Sequence, residues 1–126
     1  MPGERILIVD DNPINLKLAR VVLASEGYLV ETANDAEEAL TRLEQLEPAL
    51  ILMDLQLPGM DGLTLVRKLR DDAHWNSTWI VALTAYAMKG DEEKALAAGC
   101  DGYVTKPFGP DTLLGVVAGF LARTRA

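Results

Sequence analysis

Nineteen acidic residues against twelve basic ones leave this 126-residue chain with a net charge of −7, a balance that disfavours binding to a phosphate backbone and argues against nucleic acid as a direct partner. The length suits one domain, 1–126, whose core needs neither disulfides nor a structural metal. The single Cys100 excludes an internal disulfide and reads as a packing residue in a reducing compartment; no apolar run approaches the roughly 18 residues of a membrane span, and Met1-Pro2-Gly3-Glu4-Arg5 leads into a strand rather than a signal peptide, so a cytoplasmic protein with no membrane segment is expected.

The first element is the most informative. Ile6-Leu7-Ile8-Val9 runs straight into Asp10 and Asp11. Adjacent carboxylates raise each other's pKa unless positive charge sits between them, so a strand Arg5–Asp10 with this ending predicts a cation site. Asn12 as N-cap and Pro13 at the first helical position then open a helix that Gly27 closes. Tyr28–Thr32 reads as a second strand, and Asp35 with Glu38 three residues on makes a capping-box-like start to a helix ending before Pro48. Ala49–Met53 is a continuous apolar run ending at Asp54, followed by the loop Leu57-Pro58-Gly59-Met60 and a helix Gly62–Arg70. Trp79–Leu83 is the fourth strand, with a helix Asp91–Ala98 behind it and Gly99 as its stop. Gly102–Thr105 is the fifth strand and Asp111–Arg123 the last helix.

Strands that are apolar at almost every position are buried on both faces, which predicts a doubly wound α/β fold with a parallel sheet between two layers of helices. In such sheets ligands bind beyond the carboxyl ends of the strands. Reading what ends each strand gives Asp10 and Asp11, then Asp54, Thr84 and Lys106. Three carboxylates are oxygen donors of the kind Mg²⁺ takes, and a small hard cation held by few acids keeps positions for water and phosphate oxygens. Carboxylates, a hydroxyl, an ammonium and Mg²⁺ together describe a phosphoryl site.

The set Asp10-Asp11, Asp54, Thr84-Ala85 and Lys106-Pro107 resembles the receiver domain of two-component response regulators over essentially the whole chain. The Asp-Asp-Asn-Pro-Ile-Asn start and the stretch Ala87-Met88-Lys89-Gly90-Asp91 look most like receivers of hybrid kinases and of single-domain cell-cycle regulators. The resemblance implies a flavodoxin-like (βα)₅ fold with strand order 2-1-3-4-5. It implies that Asp54 is the phosphoacceptor, taking a phosphoryl group from a sensor histidine kinase or a histidine phosphotransfer protein. Asp11, Asp54 and the backbone carbonyl of Gln56 would bind Mg²⁺ directly, and Asp10 through water. Lys106, the Thr84 hydroxyl and the Ala85 N–H would bind phosphoryl oxygens, with Thr84 and Tyr103 as switch residues that alter the surface of the fourth helix, fifth strand and fifth helix for a downstream protein target. The Lys106–Pro107 bond looks like the family's cis peptide. Such a protein catalyses only its own phosphorylation and dephosphorylation. Gln56 and Tyr86 flank the path of the hydrolytic water in this family, and the bulk of Tyr86 implies slow loss of phosphate.

Three further readings complete the chain. His74, beside Trp75 and Asn76, is expected to be a solvated loop residue and not a phosphohistidine. Leu113, Leu114, Val116, Val117, Phe120 and Leu121 spread widely around the last helix, with Gly115, Gly119 and Ala122 opposite and no charge between Asp111 and Arg123. That pattern predicts docking of a kinase or of a second copy, a homodimer through the face that includes this helix. Two other classes lose on single positions: a phosphatase with an aspartyl-phosphate intermediate would want a second acid where Gln56 stands, and a flavin protein would want a phosphate-cradling loop where Asp10 and Asp11 stand.

Overall fold

The computed structural model describes residues 3–85, 90–106 and 108–123, and the side chain of Asp91 is outside that description. Tyr86, the Ala87-Met88-Lys89 stretch and Pro107 therefore lie outside the described residues. Among the described residues five strands alternate with five α-helices: β1 (Arg5–Val9), α1 (Pro13–Ser25), β2 (Leu29–Ala33), α2 (Ala36–Leu43), β3 (Leu50–Asp54), α3 (Gly62–Arg70), β4 (Trp79–Thr84), α4 (Asp91–Ala98), β5 (Gly102–Thr105) and α5 (Pro110–Leu121). The strands form one parallel sheet in the order β2-β1-β3-β4-β5, as expected.

The predicted caps explain the boundaries. Asn12 Oδ1 accepts from the N–H of Ile14 at 2.9 Å, satisfying a donor at the start of α1 with Pro13 in the first turn. Asp35 Oδ1 takes the N–H of Glu38 at 2.8 Å, but Glu38 reaches back to the N–H of Asn34 at 2.6 Å, one residue before the cap. Asp61, which the sequence reading did not name, also acts as a cap and starts α3 through the Thr64 N–H at 2.8 Å. Gly99, at φ +120°, ends α4 in the left-handed conformation. One short element was not foreseen: Ala73–Trp75 forms a 3₁₀ turn that buries Trp75 and leaves His74 exposed.

Side-chain alternation along the strands feeds two cores. Leu7, Val9, Ile51, Met53, Ile80 and Ala82 face α2, α3 and α4 through Ala39, Leu65, Val66 and Ala95. Ile6, Ile8, Leu50, Leu52, Val81 and Leu83 face α1 and α5 through Leu16, Leu23, Leu113 and Val117. Every residue of β3 is buried, as a central strand covered on both faces requires.

The last helix packs much of its apolar stripe against the core. Leu113 and Val117 are buried, and Leu114, Val116, Phe120 and Leu121 pack against the same core, with the Phe120 ring 5.3 Å from Trp79. A Cβ at Gly102 would lie 2.7 Å from Phe120, so the ring closes directly over β5. α5 touches both α1 and the sheet edge, and covering two surfaces uses much of the wide stripe, with Leu114, Val116, Phe120 and Leu121 still partly exposed. Its outer side is smooth, with Gly115, Ala118, Gly119 and Ala122 exposed. The exposed apolar stripe is on α1 instead, where Ile14 (75 % exposed), Leu18 (46 %) and Val21 (56 %) follow one another along one side of the helix.

A single side chain ties down the far end of the α3/α4 layer. The Arg70 guanidinium donates to the Gly99 carbonyl at 2.9 Å, the Trp75 carbonyl at 2.6 Å and Asp101 Oδ2 at 2.7 Å, and that oxygen also takes the Ile80 N–H at 2.9 Å. Arg70 and Asp101 are only 15 % and 14 % exposed, so the pair is shielded, and all three guanidinium nitrogens donate. Arg70→Met leaves a buried carboxylate and two carbonyls without their cation, and should lower stability in urea titrations by about 3 kcal/mol. Cys100 lies beside this cluster; burial pushes its thiol up to about 12, with the Asp101 charge adding and Arg70 opposing. The thiolate is the reactive form, so Cys100 should resist iodoacetamide at pH 8 in the native protein and react once guanidinium unfolds it. Rapid native alkylation would contradict that packing.

Candidate functional site

Parallel strands bring their carboxyl ends to one edge, and the polar residues there converge. Asp10 follows β1, Asp54 ends β3, Thr84 ends β4 and Lys106 follows β5. Asp10, Asp54 and Thr84 are 1 %, 2 % and 1 % exposed, while Asp11 stands exposed at the mouth.

Lys106 organises the group. Its Nζ donates to Asp10 Oδ2 at 2.8 Å and to Asp54 Oδ2 at 3.1 Å. The remaining Asp10 oxygen accepts from the Asn12 N–H at 2.9 Å, so both its oxygens are engaged by the protein. The remaining Asp54 oxygen takes the Gln56 N–H at 2.9 Å. Carboxylate oxygens of Asp10, Asp11 and Asp54 lie within 4.8 Å of one another, which is the spacing of a shared cation. The two adjacent acids are thus not left to their own repulsion, because Lys106 already supplies part of the positive charge.

Backbone pairing sets these positions. The Lys106 N–H donates to the Thr84 carbonyl at 2.6 Å and the Leu55 N–H to the Leu83 carbonyl at 3.0 Å, carrying the ladders to the rim. α3 begins against the same backbone: a Cβ at Gly62 would stand 2.4 Å from the Asp54 carbonyl oxygen, so only glycine fits there. Sequence reasoning missed this role for Gly62, although an acidic N-cap followed by glycine at a helix start was its trace.

Ionisation follows from burial and pairing. Burial raises the Asp54 carboxyl above its ordinary range; the Gln56 N–H and Lys106 pull it back, and the Asp10 charge adds to the rise. Burial pulls Lys106 down, but its hydrogen bonds to Asp10 and Asp54 outweigh that and leave it raised, firmly cationic. One ammonium does not fully compensate three carboxylates, and an all-oxygen donor set with an open side suits a hard divalent cation.

The other expected residues fall around this centre. The Gln56 side chain bonds Thr84, its Nε2 lying 3.1 Å from Thr84 Oγ1, a pairing that the sequence did not suggest. Ala85 and Lys106 line one hollow with Asn15, Leu18 and Phe108. Tyr103 is half-buried on β5 opposite Ala82, and packs against the α2/α3/α4 core. His74 is far from all of these, on the opposite edge of the sheet, where its Nε2 meets Glu47 at 2.6 Å. No helix among the described residues is long and apolar enough to cross a membrane.

Known proteins share this arrangement. The family model described as response regulator receiver domain matches residues 6–118. The polar-differentiation response regulator DivK of Brucella abortus is 37 % identical over 116 residues, which cover 92 % of this chain and 94 % of that protein. The chemotaxis response regulator CheY4 of Vibrio cholerae superposes with a TM-score of 0.89 at 30 % identity, over 94 % of this chain and 98 % of that one. The receiver domain of the sensor histidine kinase PA1611 from Pseudomonas aeruginosa, solved with a magnesium ion in its active site cleft, gives 0.87 at 36 % identity, over 96 % and 99 %. With the acidic cluster, the buried lysine and the strand order all in place, this chain belongs to the response regulator receiver domains of two-component signalling.

Proposed function

We propose that the chain is a phosphorylation-dependent switch in which Asp54 accepts a phosphoryl group from a phosphohistidine on a sensor kinase or phosphotransfer protein. The observation that carries this reading is the Lys106 ammonium held against both Asp10 and Asp54 at the carboxyl edge of the sheet. A carboxylate oxygen of Asp54 bonds to phosphorus as the P–N bond of the donor breaks, and the imidazole leaves after taking up a proton. Lys106 and Asp10 hold Asp54 in place before the transfer. Lys106 afterwards faces the added charge, and Thr84 and Ala85 supply donors from the end of β4.

Asp11, Asp54 and the Gln56 carbonyl would hold Mg²⁺, with Asp10 acting through water. This division agrees with Asp10 having both oxygens engaged by the protein and Asp11 standing at the open side. When bound, the ion offsets negative charge on the transferring group. The donor's surface has a match in the α1 stripe, where Ile14, Leu18 and Val21 lie beside the mouth with exposed Lys17 and Arg20. An apolar face edged in basic residues on an acidic chain suits a partner helix of opposite charge. The output runs through Thr84 and Tyr103 to the α4–β5–α5 face, where a downstream protein or a second copy would dock. A cytoplasmic location is the setting in which such a donor would be met.

Intact-mass measurement after incubation with acetyl phosphate and Mg²⁺ should find one added phosphoryl group, absent from Asp54→Asn and without metal. Multiple turnovers of an external phosphate ester would instead favour a phosphatase. In EDTA, Asp11→Asn should raise the melting temperature by about 2 °C or more through relief of carboxylate repulsion, while weakening Mg²⁺ binding measured by calorimetry. A lower melting temperature in EDTA would contradict the electrostatic account of the site.

A further inference from the structure

Gln56 stands between the acceptor carboxylate and the switch hydroxyl, and the phosphoryl-transfer reading uses only its backbone. Its N–H donates to Asp54 Oδ1 at 2.9 Å. Its side chain crosses to β4, where the amide nitrogen lies 3.1 Å and the amide oxygen 3.5 Å from Thr84 Oγ1. The hydroxyl therefore meets a polar atom whichever way the amide is turned. The approach is built into the backbone. Asp54 is paired in register with Leu83, and the Leu55 N–H donates to the Leu83 carbonyl at 3.0 Å, which holds the next residue, Gln56, alongside the end of β4. Thr84 itself is 1 % exposed, whereas Gln56 lies at the surface.

We propose that Gln56 is a positioning residue whose side chain latches Thr84 in its resting orientation, and so sets how tightly the site closes on a phosphoryl group carried by Asp54. The inference rests on reading Asp54 as the phosphoacceptor and Thr84 as the hydroxyl that turns toward it. A hydroxyl drawn to the phosphoryl oxygens gives up the amide of Gln56. The released amide is at the surface, so water replaces its lost partner and no buried donor is orphaned. Opening the latch thus costs one neutral hydrogen bond, and the hydrogen bond that replaces it is to an anion and stronger. The latch biases the resting state without blocking the switched one. Removing it should favour the closed site by roughly 2- to 10-fold, the range set by one neutral hydrogen bond.

The test is a titration of the full chain with beryllofluoride and Mg²⁺, a mimic of the phosphorylated aspartate, followed through the NMR signal of the Thr84 methyl group and those of its neighbours. Gln56→Met keeps the length of the side chain and the backbone bonds but removes the amide. It should bind beryllofluoride roughly 2- to 10-fold more tightly, and without ligand its Thr84 methyl signal should already lie nearer the bound position. Gln56→Asn, whose amide is too short to reach, should behave like Gln56→Met. In a Thr84→Ala background, which has no hydroxyl to latch, Gln56→Met should change the affinity no further. Unchanged or weaker binding by Gln56→Met overturns the latch, and so does a gain that persists in Thr84→Ala. If the unaltered protein fails to bind beryllofluoride at all, it is the phosphoacceptor reading that falls, an outcome separate from equal binding by parent and variant.

Discussion

The Lys106 ammonium, 2.8 Å from Asp10 and 3.1 Å from Asp54, is the interaction on which the rest of the structure depends. Two carboxylates that are almost fully buried cannot remain charged without positive charge close by. Lys106 enters from β5, while its partners sit at the ends of β1 and β3, so the three groups meet only if all three strands run parallel and end at one edge. β4 supplies the link, since its last carbonyl accepts the Lys106 N–H at 2.6 Å. A strand order that placed β5 elsewhere would strand a cation on one side of the sheet and the acids on the other. Topology and electrostatics are here one constraint seen twice.

Two helices of the same layer use their apolar faces differently. α5 packs its apolar stripe against the core through Leu113, Val117 and the Phe120 ring against Trp79 and Gly102. α1, packed beside it, buries Leu16, Ala19 and Leu23 and still shows Ile14, Leu18 and Val21 to solvent. That exposed stripe begins three residues after Asp11, on the side of the acidic cluster.

Most of the site was legible because it is written at strand ends. Asp10, Asp54 and Thr84 each follow an apolar run and Lys106 follows a short strand, and parallel pairing converts that one-dimensional rule into a three-dimensional cluster. The caps at Asn12 and Asp35 were legible for the same local reason. What escaped was whatever depends on contacts between distant segments. The Gln56–Thr84 bond joins residues far apart in the chain and leaves no pattern in either. Gly62 reads as an ordinary helix start until the Asp54 carbonyl is found against it. The stripe on α5 was visible as hydrophobicity, but periodicity says only which side of a helix is apolar and not how many neighbours that side covers.

The side-chain bonds at the two ends of β4 differ in strength. At the amino-terminal ends of β4 and β5 Asp101 is locked by Arg70 and by the Ile80 N–H, a shielded ion pair whose disruption leaves buried charge uncompensated. At the carboxyl-terminal end of β4 the Thr84 side chain meets an exposed neutral amide, which can exchange its protein partner for water. Gly90, at φ +94°, starts α4 on that side, while Gly99 ends it on the Arg70 side with no room for even a Cβ, which would fall 2.4 Å from the Arg70 Cγ. The far end of this layer is thus held by a shielded ion pair, while the link from the Thr84 side chain to Gln56 is a neutral hydrogen bond at the surface.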